Sequence, residues 1–318
     1  MALSEQEMAE FERWAETAQP SLAGDGVAAN MGLNIGALMA HAALAEPERT
    51  QQIFDAIAEA WLDEPDAAKR ADILRARLPF LSDGTTEPTP VPRFIWDRFW
   101  PIVQEAPSDI DALGFTGAVA AINVEEDLPT RERCERALLM HEDVKTLLAQ
   151  PEVRLTMTDL EGWPEGSLGE KLHTMLTENN FDIEVLDADG VVLEGDFPAL
   201  NRTNRRILQL HDVWHLFAGF DFTPGGEVAI SAFQLAQFGQ SYSARFLAVT
   251  TTLISIHAAP IADLFIMLIA EGWRHGRQTP PLLSYPWHEK LGQSIEALRE
   301  EVGATEFQSQ IAGLLPAA

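Results

Sequence analysis

Arg205-Arg206-Ile207-Leu208-Gln209-Leu210-His211-Asp212-Val213-Trp214-His215 has the residue period of an amphipathic α-helix. Its apolar residues recur every three or four positions, which is the spacing of a helix face packed against a core: Ile207, Leu210, Trp214 and, just beyond, Phe217. Thr203 is predicted to be the N-cap of this helix, and Gly219 is predicted to follow its last turn.

The same helical period continues in both directions from this stretch. One example near the N-terminus places Ile53, Ile57 and Trp61 on one side of a segment and Asp55 and Glu59 on the other. Alternating strand patterns are rare. We therefore predict an all-α fold, a multi-helical globular domain with at most a small β-hairpin.

That hairpin is predicted between Ile183 and Leu193, around Asp187-Ala188-Asp189-Gly190. The Asp-x-Asp-Gly run is also similar to the start of a calcium-binding loop. The ligand positions that should follow do not fit a calcium loop, so a turn is favoured.

Other helix boundaries follow from local signals. Ser167 and Glu170 have the spacing of a capping box that opens a helix. A long apolar helix is predicted to start near Glu227, and a final helix from Trp287 to Val302. Residues 246–262 carry no charged side chain, but the segment contains a histidine and a proline, which favours a buried helix pair over a membrane span.

The amino-acid composition limits the partners and the cellular compartment that this protein can have. The 318 residues contain 22 Lys and Arg against 49 Asp and Glu, a net charge of −27 that repels phosphate backbones and argues against nucleic acid as a partner. A single cysteine fits a reducing compartment. The start of the chain, Met1 to Glu7, is acidic where targeting segments are basic, so a cytoplasmic location is predicted.

The charge is unevenly distributed along the chain. Residues 1–200 hold 14 basic and 39 acidic side chains, whereas residues 201–318 hold 8 and 10, a net charge of only −2. A nearly neutral surface can approach an anionic phase with little repulsion. We therefore predict peripheral contact with the inner face of a membrane through the last third of the chain.

The residues with the clearest chemistry are His211, His215 and Glu227. Two histidines four apart lie on one helix face and can direct ring nitrogens at a single point. A carboxylate from the first turn of the next helix completes a divalent-metal site with an open position, which is typical of catalytic zinc. Asp212 lies about 100 degrees round the helix from His211, so it could ligate the metal or orient a ligating histidine.

Spacing alone does not establish such a site, since histidine pairs also face cores or solvent. The run is also similar to the His-Glu-x-x-His motif of zinc proteases. Asp212 is one methylene shorter than the glutamate that acts there as general base, and this disfavours a protease.

The motif resembles the signature of the Coq4 family of ubiquinone biosynthesis proteins, His-Asp-x-x-His-x11-Glu, which is present as His211, Asp212, His215 and Glu227. Other stretches similar to the family are Pro164-Glu165-Gly166-Ser167-Leu168-Gly169, Gly219, Gly276-Arg277, Trp287-His288-Glu289 and Leu298-Arg299. The resemblance covers about residues 159–305. It is weak over 37–80, and the stretch from about 81 to 150 looks like an insertion or a divergent part.

Three regions are predicted on this basis, with a proline-bearing linker at Ser82 to Pro92. Residues 1–90 form an acidic helical N-terminal region, and residues 91–158 form a divergent helical segment. Residues 159–318 form the Coq4-like metal-binding helical domain.

The resemblance implies an α-helical fold and a divalent metal, most often Zn²⁺, at His211, Asp212, His215 and Glu227, which are then also the catalytic residues. It implies a polyprenylated aromatic lipid as substrate, a ring precursor whose C1 carboxylate is replaced by a hydroxyl in an oxidative decarboxylation. Other ubiquinone-biosynthesis enzymes are implied partners. A homodimer is also predicted.

Two other functions remain open. The chain could be a non-catalytic scaffold that binds polyprenyl lipid and organises the enzymes of ubiquinone biosynthesis, with a structural metal. A weaker alternative is a metallohydrolase acting on a soluble ester or amide. An open coordination position favours an enzyme, while the lack of a second acid or base beside the motif favours the scaffold.

Overall fold

A computed structural model describes residues 3–19, 27–81, 87–104, 112–124, 127–179, 181, 183 and 193–311. Within these ranges the chain forms fourteen α-helices and no β-strand, which confirms the all-α prediction. The hairpin predicted between Ile183 and Leu193 lies, apart from those two residues, outside the described part. The helices are α1 Glu5–Thr17, α2 Val27–Ala40, α3 Thr50–Leu62, α4 Ala67–Arg77, α5 Arg93–Gln104, α6 Ala112–Val124, α7 Leu128–Leu138, α8 Glu142–Ala149, α9 Leu168–Glu178, α10 Pro198–Ala218, α11 Pro224–Phe238, α12 Ser241–His257, α13 Ala262–Gln278 and α14 Ile295–Val302.

The most extensive helix packing in the described part of the chain is that of α11 against α13. Two glycines of α13 allow this approach, because a Cβ at Gly272 would lie 2.3 Å from the Ala229 carbonyl oxygen and one at Gly276 would lie 2.6 Å from that of Phe233. Backbone packed this closely has little room to slide. The contact therefore fixes α11, which carries Glu227, relative to the rest of the core.

The buried helix pair predicted at residues 246–262 is found only in part, because residues 247–253 are buried whereas Ala259 and Pro260 are exposed. Most of this stretch belongs to α12, which packs against α2, and the remainder forms a 3-10 turn, Ala259–Ile261, before α13. The His257 Nε2 atom lies 3.0 Å from the Val103 carbonyl oxygen, so this histidine is hydrogen-bonded to backbone. None of the helices in the described ranges is long and apolar enough to cross a membrane.

The start of α10 differs from the prediction. The helix begins at Pro198, five residues before Thr203, and Thr203 is fully buried within it. Proline is favoured in the first turn, where its missing N–H is not needed. The carboxylate of Glu135 on α7 accepts from the backbone N–H groups of Ala199 and Leu200, each at 2.8 Å. A residue distant in sequence therefore supplies the cap that Thr203 was expected to supply.

The single final helix predicted from Trp287 to Val302 is also wrong. Residues 287–289 form a 3-10 turn, and α14 starts only at Ile295, capped by Ser294. Between them the carbonyls of Leu291 and Gln293 accept from the first N–H groups of α9, each at 2.8 Å. A continuous helix would use these carbonyls internally, so the contact with α9 breaks it.

Ser167 is the N-cap of α9, as predicted, and its hydroxyl accepts from the Glu170 N–H at 3.3 Å. The Glu170 carboxylate accepts from Gly166 N at 3.2 Å, one residue before the cap. Of the predicted linker, Glu87 to Pro92 is without helix, and residues 82–86 lie outside the described part.

A buried histidine links stability to pH. The His275 ring lies 5.4–5.9 Å from the rings of Phe220, Phe233 and Phe307. Burial, with a smaller contribution from the charge of Arg299, lowers its pKa from 6.5 to about 4. Between these values the unfolded chain binds a proton that the native chain does not, so the free energy of unfolding falls as pH falls.

His275→Phe removes this titration and keeps an aromatic ring among the three phenylalanines. We expect the variant to lose less stability than the native chain between pH 7 and pH 5 in urea unfolding. Parallel pH profiles for the two proteins would show that His275 is not the group responsible.

Candidate metal centre

Helix α10 presents both histidines on one face near its C-terminal end. The helix ends at Gly219, as predicted, with φ 85°, a left-handed conformation in which glycine lacks the steric penalty of other residues. The chain then turns so that the Phe220 carbonyl oxygen lies 3.2 Å from His215 Nδ1. A carbonyl only accepts, so His215 Nδ1 donates to it, and Nε2 is the His215 ring nitrogen that faces His211 and Glu227.

Glu227 is brought to the histidines by the start of α11. The helix begins at Pro224, capped by Thr223, and Glu227 lies in its first turn as predicted. Gly226 packs so closely on the preceding loop that a Cβ there would lie 1.9 Å from the Asp221 carbonyl oxygen. The short loop that connects α10 to α11 therefore depends on this glycine.

Three of the four predicted ligands converge. His211 Nε2 and His215 Nε2 are 3.1 Å apart, and they lie 3.3 Å and 3.2 Å from the two oxygens of Glu227. Ligand atoms at about 2.1 Å from a tetrahedral Zn²⁺ lie about 3.4 Å from one another. The spacing and the nitrogen and oxygen donors therefore fit a small divalent cation.

Asp212 does not belong to the group of converging ligand atoms. Its charge is one of the influences that raise the pKa of His211. Whether it ligates a metal or orients a histidine stays a prediction.

The charges within the triad are coupled. Burial would raise the pKa of the Glu227 carboxyl, but hydrogen bonds from His211 and His215 outweigh burial and lower it. Burial would likewise lower the pKa of His211, but its hydrogen bond to Glu227 and the Glu227 charge raise it. The carboxylate is thus held ionised beside two imidazoles, and ionised carboxylate is the form that ligates cations.

Sequence reasoning missed three residues that hold the histidines. They are Phe220, whose carbonyl fixes His215; Phe222, whose ring stacks on that of His215 with centroids 4.4 Å apart; and Gln234, whose amide nitrogen lies 2.8 Å from His211 Nδ1. Gln234 could have been found, because it lies seven residues after Glu227 and so on the same face of α11. The Phe222 stacking depends on the turn between helices, which has no periodic pattern.

Gly226→Ala is expected to displace the turn and move Glu227 away from the histidines. We expect Zn²⁺ affinity to fall by about tenfold or more, and the free energy of unfolding to fall by about 1–3 kcal/mol, as for other overpacked sites. Chelator competition and urea unfolding measure the two effects. Unchanged affinity and stability would mean that the contact of Gly226 with Asp221 does not position the carboxylate.

Fold and site together define an all-α protein that gathers two histidines and a glutamate at the turn between two helices. Residues 107–308 match the family model described as "Coenzyme Q (ubiquinone) biosynthesis protein Coq4". The match covers more than half of the chain, and it begins upstream of residue 159, where the resemblance in motifs starts. The chain belongs to the Coq4 family.

Curated relatives are consistent with this membership. The chain is 27% identical over 176 residues to the mitochondrial ubiquinone biosynthesis protein COQ4 homologs of Rattus norvegicus and Homo sapiens, covering 54% of this chain and 64% of each relative. It is 25% identical over 178 residues to the mitochondrial COQ4 protein of Vanderwaltozyma polyspora, covering 55% and 51%. The chain thus spans less than two thirds of the length of these relatives.

A solved structure shares the fold. It is a protein from Nostoc punctiforme with a provisional assignment to ubiquinone biosynthesis, and it superposes with a TM-score of 0.51 at 21% identity. The superposition covers 66% of this chain and 96% of the other.

Proposed function

We propose that this chain acts in ubiquinone biosynthesis and holds a divalent metal ion, Zn²⁺ foremost, with His211, His215 and Glu227. The observation that carries the proposal is the convergence of three ligand atoms at 3.1–3.3 Å within a Coq4-family chain. The donor set is that of catalytic zinc, with three protein ligands and a remaining position for water or substrate.

The substrate proposed is a polyprenylated benzoate, and the reaction replaces the C1 carboxylate of its ring with a hydroxyl. One oxygen atom enters the ring and one CO₂ leaves, so a two-electron oxidant is a required co-reactant. A bound divalent ion supplies Lewis acidity, which stabilises charge developing on a substrate oxygen.

The exposure of the site supports access by a substrate. The side chains of His211 and Glu227 are 32% and 40% exposed, whereas that of His215 is fully enclosed. Phe222 beside them is 50% exposed, so one aromatic ring borders the open side of the triad. An aromatic head group can approach there while His215 stays fixed by backbone and stacking.

A cell that depends on this protein provides the test. Removing the chain is expected to lower ubiquinone and to accumulate a prenylated ring precursor that still bears its carboxylate, as measured by lipid mass spectrometry. Accumulation of a precursor from a different step, with the C1 position already hydroxylated, would contradict the proposed reaction.

Peripheral membrane contact is part of the proposal. Its support is the nearly neutral charge of residues 201–318 against the strongly acidic remainder of the chain. High salt or mild detergent is expected to release the protein from isolated membranes into the supernatant. Release only after the bilayer is fully dissolved would contradict peripheral contact.

A further inference from the structure

A buried glutamine contacts the candidate metal ligand His211 at the ring nitrogen that faces away from Glu227. Gln234 is 2% exposed, and its Nε2 atom lies 2.8 Å from His211 Nδ1, on the side of the ring away from Glu227. An amide N–H that donates to Nδ1 leaves the ring proton on Nε2. In this arrangement the proton of His211 points at Glu227 and occupies the place where a cation would be ligated.

A metal bound through His211 Nε2 requires the opposite arrangement. The proton must then be on Nδ1, and ligating histidines donate this second N–H to an acceptor. The side-chain amide of glutamine carries an acceptor oxygen as well as its donor nitrogen. A half-turn of the Gln234 amide therefore supplies the acceptor that the ligated ring needs.

The surroundings of Gln234 accommodate this turn. Ser243 Oγ lies 3.5 Å from the amide oxygen of Gln234 and 3.0 Å from that of Gln240, and both of these residues are buried. After the half-turn the Gln234 nitrogen faces the serine and can donate to it, while the serine hydroxyl donates to Gln240. Both the oxygen and the nitrogen of the turned Gln234 amide then have a hydrogen-bond partner, which buried polar groups require.

We propose that Gln234 is the positioning residue of His211, and that its amide turns when the site takes up metal. The hydrogen bonds then run in one direction, from His211 Nδ1–H to Gln234, from Gln234 to Ser243 and from Ser243 to Gln240. The inference rests on the proposed metal site. His215 needs no such adjustment, since the Phe220 carbonyl is an acceptor in either state.

Two variants separate the acceptor role from simple packing. Gln234→Leu removes both polar atoms at similar volume, and we expect Zn²⁺ affinity to fall by about 10- to 100-fold, the usual cost of losing such a partner. Gln234→Glu keeps an acceptor and removes the competing donor, so its affinity should equal or exceed that of the native chain. Affinity is measured by competition with a chromophoric chelator.

Gln237 on the same helix provides the matched control. Its amide nitrogen donates to the carbonyls of Gly276 and Thr279 at 2.7 Å and 2.8 Å, its amide oxygen accepts from Leu282 N at 3.1 Å, and none of these partners belongs to the triad. Gln237→Leu should therefore lower thermal stability and leave Zn²⁺ affinity unchanged. Ser243→Ala, which removes the acceptor for the turned amide, is expected to weaken Zn²⁺ binding less than Gln234→Leu does.

The outcomes distinguish this inference from the proposed function. Native Zn²⁺ affinity in folded Gln234→Leu, or equal losses in the leucine and glutamate variants, overturns the role of Gln234 while the metal site stands. If the glutamate variant does not fold, native Zn²⁺ affinity in Ser243→Ala overturns the proposed series of hydrogen bonds from His211 through Gln234 and Ser243. Absence of Zn²⁺ binding by the native protein overturns both the site and the inference.

Discussion

Purified protein in which His211 and His215 are both replaced by alanine is expected to contain no stoichiometric divalent metal, whereas the native chain carries about one ion. The two rings supply two of the three converging ligand atoms, and Glu227 alone cannot hold a cation against solvent. Elemental analysis after dialysis against a weak chelator measures the difference.

The control for this variant removes two histidines elsewhere. His173 and His288 lie outside the triad, so their joint replacement by alanine should leave the metal content unchanged. Because His215 is buried, circular dichroism must show that the His211/His215 variant is folded. Full metal content in a folded double variant would mean that the site has been assigned to the wrong residues.

Glu227→Gln is expected to lower cellular ubiquinone by about tenfold or more, with accumulation of the ring precursor that bears its carboxylate. The amide is nearly isosteric with the carboxylate, so the fold should persist. Replacement removes the negative charge that balances the cation, and it converts one of the two carboxylate oxygens that face the imidazoles into a donor NH2 group. Lipid profiles of cells that carry the native or the variant chain at matched protein levels give the comparison.

The scaffold alternative predicts a different lipid profile for the same variant. A chain that only organises other enzymes would lose them together when its structural metal is lost, so several intermediates should build up at once. Normal ubiquinone in cells with a metal-free Glu227→Gln protein would contradict metal-dependent catalysis and leave the scaffold as the better account.

Helical periodicity, together with the resemblance to the family motif, predicted the convergence of the triad. His211 and His215 are separated by one helical turn, and Glu227 falls in the first turn of α11, so local rules bring the three together. Gly219 was predicted for the same reason, since a helix commonly ends at a glycine in the left-handed region. Each of these features depends on residues close in sequence.

The features that sequence did not predict depend on distant contacts. The start of α10 is set by Glu135, 63 and more residues upstream, whose carboxylate replaces a local cap. The break before α14 is set by the first turn of α9, more than a hundred residues away. No local pattern encodes a partner at such a separation, so propensity placed both boundaries wrongly.

Anomalous diffraction from crystals of the native protein, recorded at the absorption edge of its metal, tests the central claim most directly. We expect a single peak at about 2.0–2.2 Å from His211 Nε2, His215 Nε2 and a Glu227 carboxylate oxygen. A peak at a different cluster of residues, or no peak at this triad in protein purified without chelators, would contradict a metal centre at these three residues.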